Sequence, residues 1–213
     1  DLKEIAGQTA SIELNRVVST GFGREVTYYF VTEVYRIRYT TDRVYLLDFD
    51  RTMTQMPNVE SDIYGNNKIM LGIVSEDTPL MESEDGNVVV FEAANRLCTY
   101  NITTNKLAVL FCFYDKDNGD IRTIYNQHRI KILDINEGGN VQFAVYGYMN
   151  RGRHEGEIGI QLYAYDSERN TIEESVYIPY EKSFDILDCE IENLLYWNRE
   201  GILYLYLNHT ICA

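Results

Sequence analysis

The chain is poor in residues that break, staple or charge a fold positively. It has three prolines in 213 residues, so no proline-rich linker divides it. No run approaches the ~18 apolar residues of a membrane-spanning helix. Its four cysteines, Cys98, Cys112, Cys189 and Cys212, form no C-x-x-C pair, the commonest zinc and redox spacing. The histidines, His128, His154 and His209, share no ligand spacing either. No metal or other cofactor is expected. Basic residues number 19 against 33 acidic, a formal charge of −14. That sign repels polyphosphate and anionic headgroups, and no basic stripe offsets it, so nucleic acid is excluded as a partner. Helical periodicity is scarce too. No window of 11 or more residues carries a helical apolar stripe, and only the first dozen residues read as a short helix.

Tyrosine is abundant: 18 residues, beside eight Phe and one Trp. Tyrosine suits a half-buried pleated surface, and the 45 % hydrophobic content suffices for a sizeable core. Strands follow one another along the chain. Tyr35, Ile37 and Tyr39 alternate with Arg36 and Arg38, and Val44–Phe49 returns after the turn Thr40-Thr41-Asp42. Residues 50–67, with Pro57 and Gly65, read as a loop, as does Ser75–Asn87 with Pro79. Leu107–Phe113 has no polar side and is expected to be buried on both faces. Further strands are expected at Lys68–Val74, Val88–Phe91, Leu97–Ile102, Arg129–Ile135, Val141–Met149, Ile158–Tyr165, Ile172–Ile178, Phe184–Ile191, Leu194–Trp197 and Ile202–Leu207.

These strands repeat. Asn87–Asn101 aligns without a gap on Gly201–Ala213, placing Cys98 on Cys212. Val34–Asp48 fits the same frame. Leu-Cys-Thr-Tyr-Asn at 97–101 matches Leu-Tyr-Ala-Tyr-Asp at 162–166. Val44, Leu97, Leu162 and Ile211 are then equivalent, at separations of 53, 65 and 49 residues. A period of roughly 50 residues with about four strands is that of propeller blades, each needing a neighbour to cover its faces. The expected fold is all-β: a partial β-propeller of about four antiparallel sheets over 1–213, with units near 12–53, 68–113, 129–178 and 184–213. The chain starts and stops in mid-pattern, as an arc of a larger ring would.

The step from Leu-Tyr-Ala-Tyr-Asp through a polar turn to Ile172 resembles the third-to-fourth strand connection of bacterial β-propellers of the TolB or YWTD-like kind. The resemblance implies an extracytoplasmic or cell-envelope protein. It also implies that loops between second and third strands lie on the face that carries a contact site.

One such loop stands out. Asn150–Glu157 replaces a tight turn with eight residues and concentrates Arg151, Arg153, His154, Glu155 and Glu157. Those arginines could reach an acidic or hydroxyl-rich group on a protein or carbohydrate partner. The competing reading is a solvated tip whose charges cancel. Other signals fail on inspection. Asp115–Asp120 resembles the opening of a calcium loop, but Gly119 is fifth rather than sixth and Asn126 fills the twelfth place, so it reads as a hairpin turn. Gly21-Phe22-Gly23 lacks the context of a phosphate loop. Trp197, Tyr204 and Tyr206 could stack on sugars but more often pack between sheets. Beside a purely structural arc that holds neighbouring domains, two function classes remain. One is a non-enzymatic binding or scaffold module. The other is a carbohydrate-active enzyme using paired carboxylates, drawn from residues such as Asp48, Asp50, Glu155 and Glu157.

Overall fold

The computed structural model describes residues 1–22, 26–56, 64–65, 68–69, 71, 73, 76–114, 120–207 and 210–212. Gly23, Pro57, the turn at 117–119, the turn at 208–209 with His209, and most of 57–75 lie outside the described residues. The fold is all-β, with four antiparallel sheets of three or four strands and no closed barrel among the described residues. The chain divides into two compact units, Asp1–Glu76 and Asp77–Ala213.

The first unit is built on sheet 1, a meander of β1 (Leu2–Ala6), β2 (Thr9–Thr20), β3 (Thr27–Tyr39) and β4 (Val44–Met56). The expected N-terminal helix is therefore two strands, hinged at Gly7 with φ +60°. The expected loop at 50–67 begins later than read, because β4 runs on to Met56. Its continuation has a physical cause. Arg51 faces Glu33 across the ladder, and Arg16 reaches the same carboxylate from β2 at 2.6 Å. Tyr35 donates to its other oxygen at 3.0 Å. Burial opposes ionisation of Glu33, but Tyr35, then Arg51 and Arg16, outweigh it and hold the carboxyl below its ordinary range. A short pair, β5 (Tyr64–Gly65) and β6 (Lys68–Ile69), completes the unit.

The second unit holds three sheets. Sheet 2 comprises β7 (Leu80–Glu82), β8 (Val88–Ala93), β9 (Arg96–Asn101) and β10 (Lys106–Phe111). Its first strand lies inside the expected loop Ser75–Asn87, because three residues between Pro79 and Ser83 are too few to show alternation. Its last strand is an edge strand and only half-buried, not covered on both faces as expected. Sheet 3 comprises β11 (His128–Ile135), β12 (Val141–Tyr148), β13 (Ile158–Asp166) and β14 (Thr171–Pro179). Helix α1 (Phe184–Leu194) follows, then sheet 4 of β15 (Leu195–Trp197), β16 (Leu203–Leu207) and β17 (Thr210–Cys212). Phe184–Ile191 is thus a helix, not a strand. Phe184, Leu187 and Ile191 share one buried face at helical spacing, while Ile186 is exposed.

The central strands of sheet 3, β12 and β13, are covered on both sides. Val141, Phe143 and Val145 pack with Val88, Val90, Leu97 and Leu110 of sheet 2. The alternate residues Ala144 and Tyr146 pack with Phe184, Leu187 and Ile191 of the helix and Leu195 and Leu205 of sheet 4. The helix comes close because β12 has glycine at 147, with φ +115°. A Cβ there would strike the Gln127 carbonyl, and would stand 2.7 Å from Phe184 Cδ2. Its ladder partner, Gly159, leaves room for the Tyr177 hydroxyl, which a Cβ would meet at 2.5 Å.

The turns repeat as well as the strands. In the first turn of each sheet of this unit, a residue accepts from the amide of a glycine three places on. The pairs are Ser83–Gly86, Asn136–Gly139 and Asn198–Gly201, and every one of these glycines is left-handed. In the third turn of sheets 2 and 3 a tyrosine donates to an asparagine five residues on. These pairs are Tyr100–Asn105 at 2.5 Å and Tyr165–Asn170 at 3.1 Å, and both asparagines are left-handed. Phe91 faces Cys98 in sheet 2 as Leu205 faces Cys212 in sheet 4, the register that the alignment of 87–101 on 201–213 implies. In sheet 1, the window Val34–Asp48 spans third and fourth strands instead of second and third.

Candidate functional site

Within the second unit, a groove of about 420 Å³ runs between sheet 2, sheet 3 and the helix. One wall is apolar: Pro79, Leu80 and Met81 from the start of β7, with Ile130 and Ile132 from β11. The polar residues are Glu92 on β8, Arg129 and Lys131 on β11, Tyr146 on β12 and Asp188 on α1. Strand geometry brings them together. Arg129 and Tyr146 are ladder partners. Glu92 lies beside β7 through its backbone amide, which donates to the Pro79 carbonyl at 3.0 Å. It precedes the Ala94–Asn95 turn, where both residues have positive φ, as a two-residue hairpin turn requires.

Four of the five polar side chains have protein partners. Tyr146 donates to Asp188 Oδ1 at 2.9 Å, and burial, then that carboxylate, raises the phenol's pKa. Lys131 donates to the Ile191 carbonyl near the end of the helix at 3.1 Å. Arg129 lays its guanidinium 5.5 Å over the Phe184 ring and turns one nitrogen to the His128 carbonyl at 3.2 Å. Glu92 is the exception. Its half-buried carboxyl makes no hydrogen bond or ion pair among the described residues. Burial pushes it up to about 7, and the Arg129 charge only partly offsets this.

The Asn150–Glu157 loop stands at the end of β12, four residues beyond Tyr146. It is pinned. Asn150 is buried and donates to the Tyr125 carbonyl at 2.8 Å. Arg151 reaches Asp120 at 3.4 Å, Arg122 binds both Asp120 and Glu155, and His154 meets Glu157 at 3.2 Å. The His154 ring also stacks on Tyr177 at 3.6 Å. Arg122, first of all, holds the Asp120 carboxyl well below the carboxylate range. Burial, then Glu157, pushes Tyr177 up to about 12. Of the five residues singled out in this loop, Arg153 alone is exposed with no partner among the described residues.

The carboxylates first considered as a catalytic pair are not in the groove. Asp48 and Asp50 lie on β4 of the first unit, while Glu155 and Glu157 are engaged in the loop. Tyr204 and Tyr206 are exposed, at 37 % and 36 %, rather than packed between sheets. His128 is buried against Phe113, its pKa driven down to about 4 by burial, as a structural residue would be. Cys98 and Cys189 are free thiols. Among the described residues no cluster of His, Cys, Asp or Glu could hold a metal ion, and no helix is long and apolar enough to cross a membrane.

The sequence reading missed both groove acids. Glu92 left a signal: it is the one charged residue in the apolar run Val-Val-Val-Phe-Glu-Ala. Asp188 left none, because Phe184–Ile191 reads as a strand from its residues alone. No protein-family model matches the chain, and a search of curated proteins found no match.

Proposed function

We propose that the chain is a non-enzymatic binding or scaffold module. In this reading it is an arc of propeller-type blades from a bacterial extracytoplasmic or cell-envelope protein, similar to TolB- or YWTD-like propellers. It contacts a ligand or partner at the end of sheets 2 and 3 that carries the groove and the pinned loop. One observation carries the reading: Glu92 and Arg129 border the same groove with opposite charges and are not paired to each other. A half-buried acceptor without a donor is costly unless something supplies one. The groove's volume is that of a small-ligand site. The loop adds a rigid rim that loses little freedom on contact.

Amide spectra of the labelled protein, titrated with short peptides and oligosaccharides, test this. Shifts clustered at Met81, Glu92, Arg129 and Tyr146 are expected. No compound moving those residues would overturn it.

The Glu92 carboxyl, pushed up to about 7, favours one second reading, a carbohydrate-active enzyme. Glu92 would serve as proton donor and Asp188 as the second carboxylate. Turnover of aryl glycosides, abolished by Glu92→Gln, would establish that reading. No turnover leaves the binding module.

A further inference from the structure

We propose that the groove between sheets 2 and 3 and the helix is a site for a small zwitterion, a free α-amino acid with an apolar side chain. This inference rests on the reading of the groove as a binding site and names its ligand.

The argument is one of complementary charge. Glu92 offers acceptors that no described residue occupies. Arg129 carries five N–H donors and spends those of one nitrogen on backbone carbonyls. The two are near enough for Arg129 to pull the Glu92 pKa down, yet they form no ion pair. A ligand with a positive and a negative end completes both at once: its ammonium on Glu92, its carboxylate on Arg129. Such a ligand adds no net charge to the groove. A pure cation would face Arg129 and Lys131, and a pure anion would face Glu92 and Asp188. The wall of Leu80, Met81 and Ile132 is suited to an aliphatic side chain.

Proton linkage gives a second signature. The charged and titratable groups that line the groove with Glu92 are Arg129 and Lys131 from β11, the neutral Tyr146 phenol from β12 and Asp188 from the helix, and β7 contributes none to the lining. An ammonium beside Glu92 favours its carboxylate. At pH 7 binding therefore releases a fraction of a proton from a group that titrates near that pH.

Calorimetry on the whole chain at pH 7 tests the assignment with leucine, leucinamide, N-acetylleucine and N-acetylleucinamide, each in phosphate and in Tris. Leucine should bind at least 10-fold more tightly than each analogue. Its heat should differ between buffers in the direction of proton release. Glu92→Gln should weaken leucine at least 10-fold and abolish the buffer dependence, and Arg129→Gln should weaken it similarly. Glu92→Gln removes an unpaired half-buried charge, so its fold is expected to hold. If N-acetylleucinamide binds in the groove as well as leucine does, the zwitterion assignment is wrong and the groove remains a binding site. If none of the four probes moves a groove resonance, the assignment is wrong as well. If the peptides and oligosaccharides also leave those resonances unmoved, the reading of the groove as a site falls with it.

Discussion

Sheets 1 and 3 are both four-stranded antiparallel meanders, yet they are stabilised differently. Sheet 3 has long apolar runs, and its two central strands, β12 and β13, are largely buried on both faces, while its edge strand β14 is mostly exposed. Val141, Phe143, Ala144 and Val145 are inaccessible to solvent. Sheet 1 has longer strands but little core. On β4, Val44, Leu46, Leu47, Phe49 and Met53 are exposed, and the most deeply buried residues of the sheet include a carboxylate, Glu33. Sheet 3 also carries the turns shared with sheets 2 and 4, and sheet 1 does not. The lesson is that strand count does not make a blade. Coverage by neighbours does, and it follows from alternation that is apolar on both sides.

The largest expected effects fall on sheet 3 and its helix. Phe143→Ala or Leu187→Ala should destabilise the second unit by about 3–5 kcal/mol, whereas Leu46→Ala on sheet 1 should change stability by less than about 0.5 kcal/mol. Urea denaturation followed by probes in each unit measures both. A sizeable loss at Leu46 would break the comparison.

Gly147→Ala comes next. The added methyl meets the backbone of Gln127 and His128 as well as the buried Phe184 ring, and the φ of +115° is hostile to it. A cost of about 3 kcal/mol is expected. A near-neutral result would show that the helix can move off β12.

Glu92 comes third, and its effect grows with pH. Its folded pKa is raised, so the native state holds the proton longer than the unfolded chain. Stability therefore falls as pH rises from about 4.5 to about 7 and stays reduced above that. Glu92→Gln should be close to neutral at pH 5 and stabilise by about 1–3 kcal/mol at pH 8. Urea midpoints at the two pH values decide it.

Glu33 behaves in the opposite sense. Its folded pKa is lowered, so its contribution is complete above the ordinary carboxylate range and lost as pH falls through the folded value. An acid titration of the first unit should lose its low-pH step in Glu33→Gln. The smallest effect belongs to Arg153→Ala, within about 0.5 kcal/mol, because the exposed side chain has no described partner.

These contrasts also mark what could be read from residues alone. The all-β class was legible because alternation is a local property, and the Tyr-Asp and Tyr-Asn turns were legible because a turn is built by neighbours. The helix was not. Phe184, Leu187 and Ile191 become a stripe only against Ile186 on the opposite side, and a short segment rich in isoleucine and leucine reads equally well as a strand. The continuation of β4 was hidden for another reason, since Glu33–Arg51 is a contact between residues distant in sequence. At the candidate site, the loop charges were visible but not their partners, because Asp120 and Arg122 come from a different turn. The groove was invisible, since its walls come from five elements that only folding assembles.

Native-state hydrogen exchange tests the central claim, that coverage on both faces sets the stability of these sheets. The account predicts that amides of β12 and β13 exchange only through the highest-energy opening of the chain, while those of β2 to β4 exchange through openings of clearly lower free energy. Protection in sheet 1 equal to or greater than that in sheet 3 would contradict it.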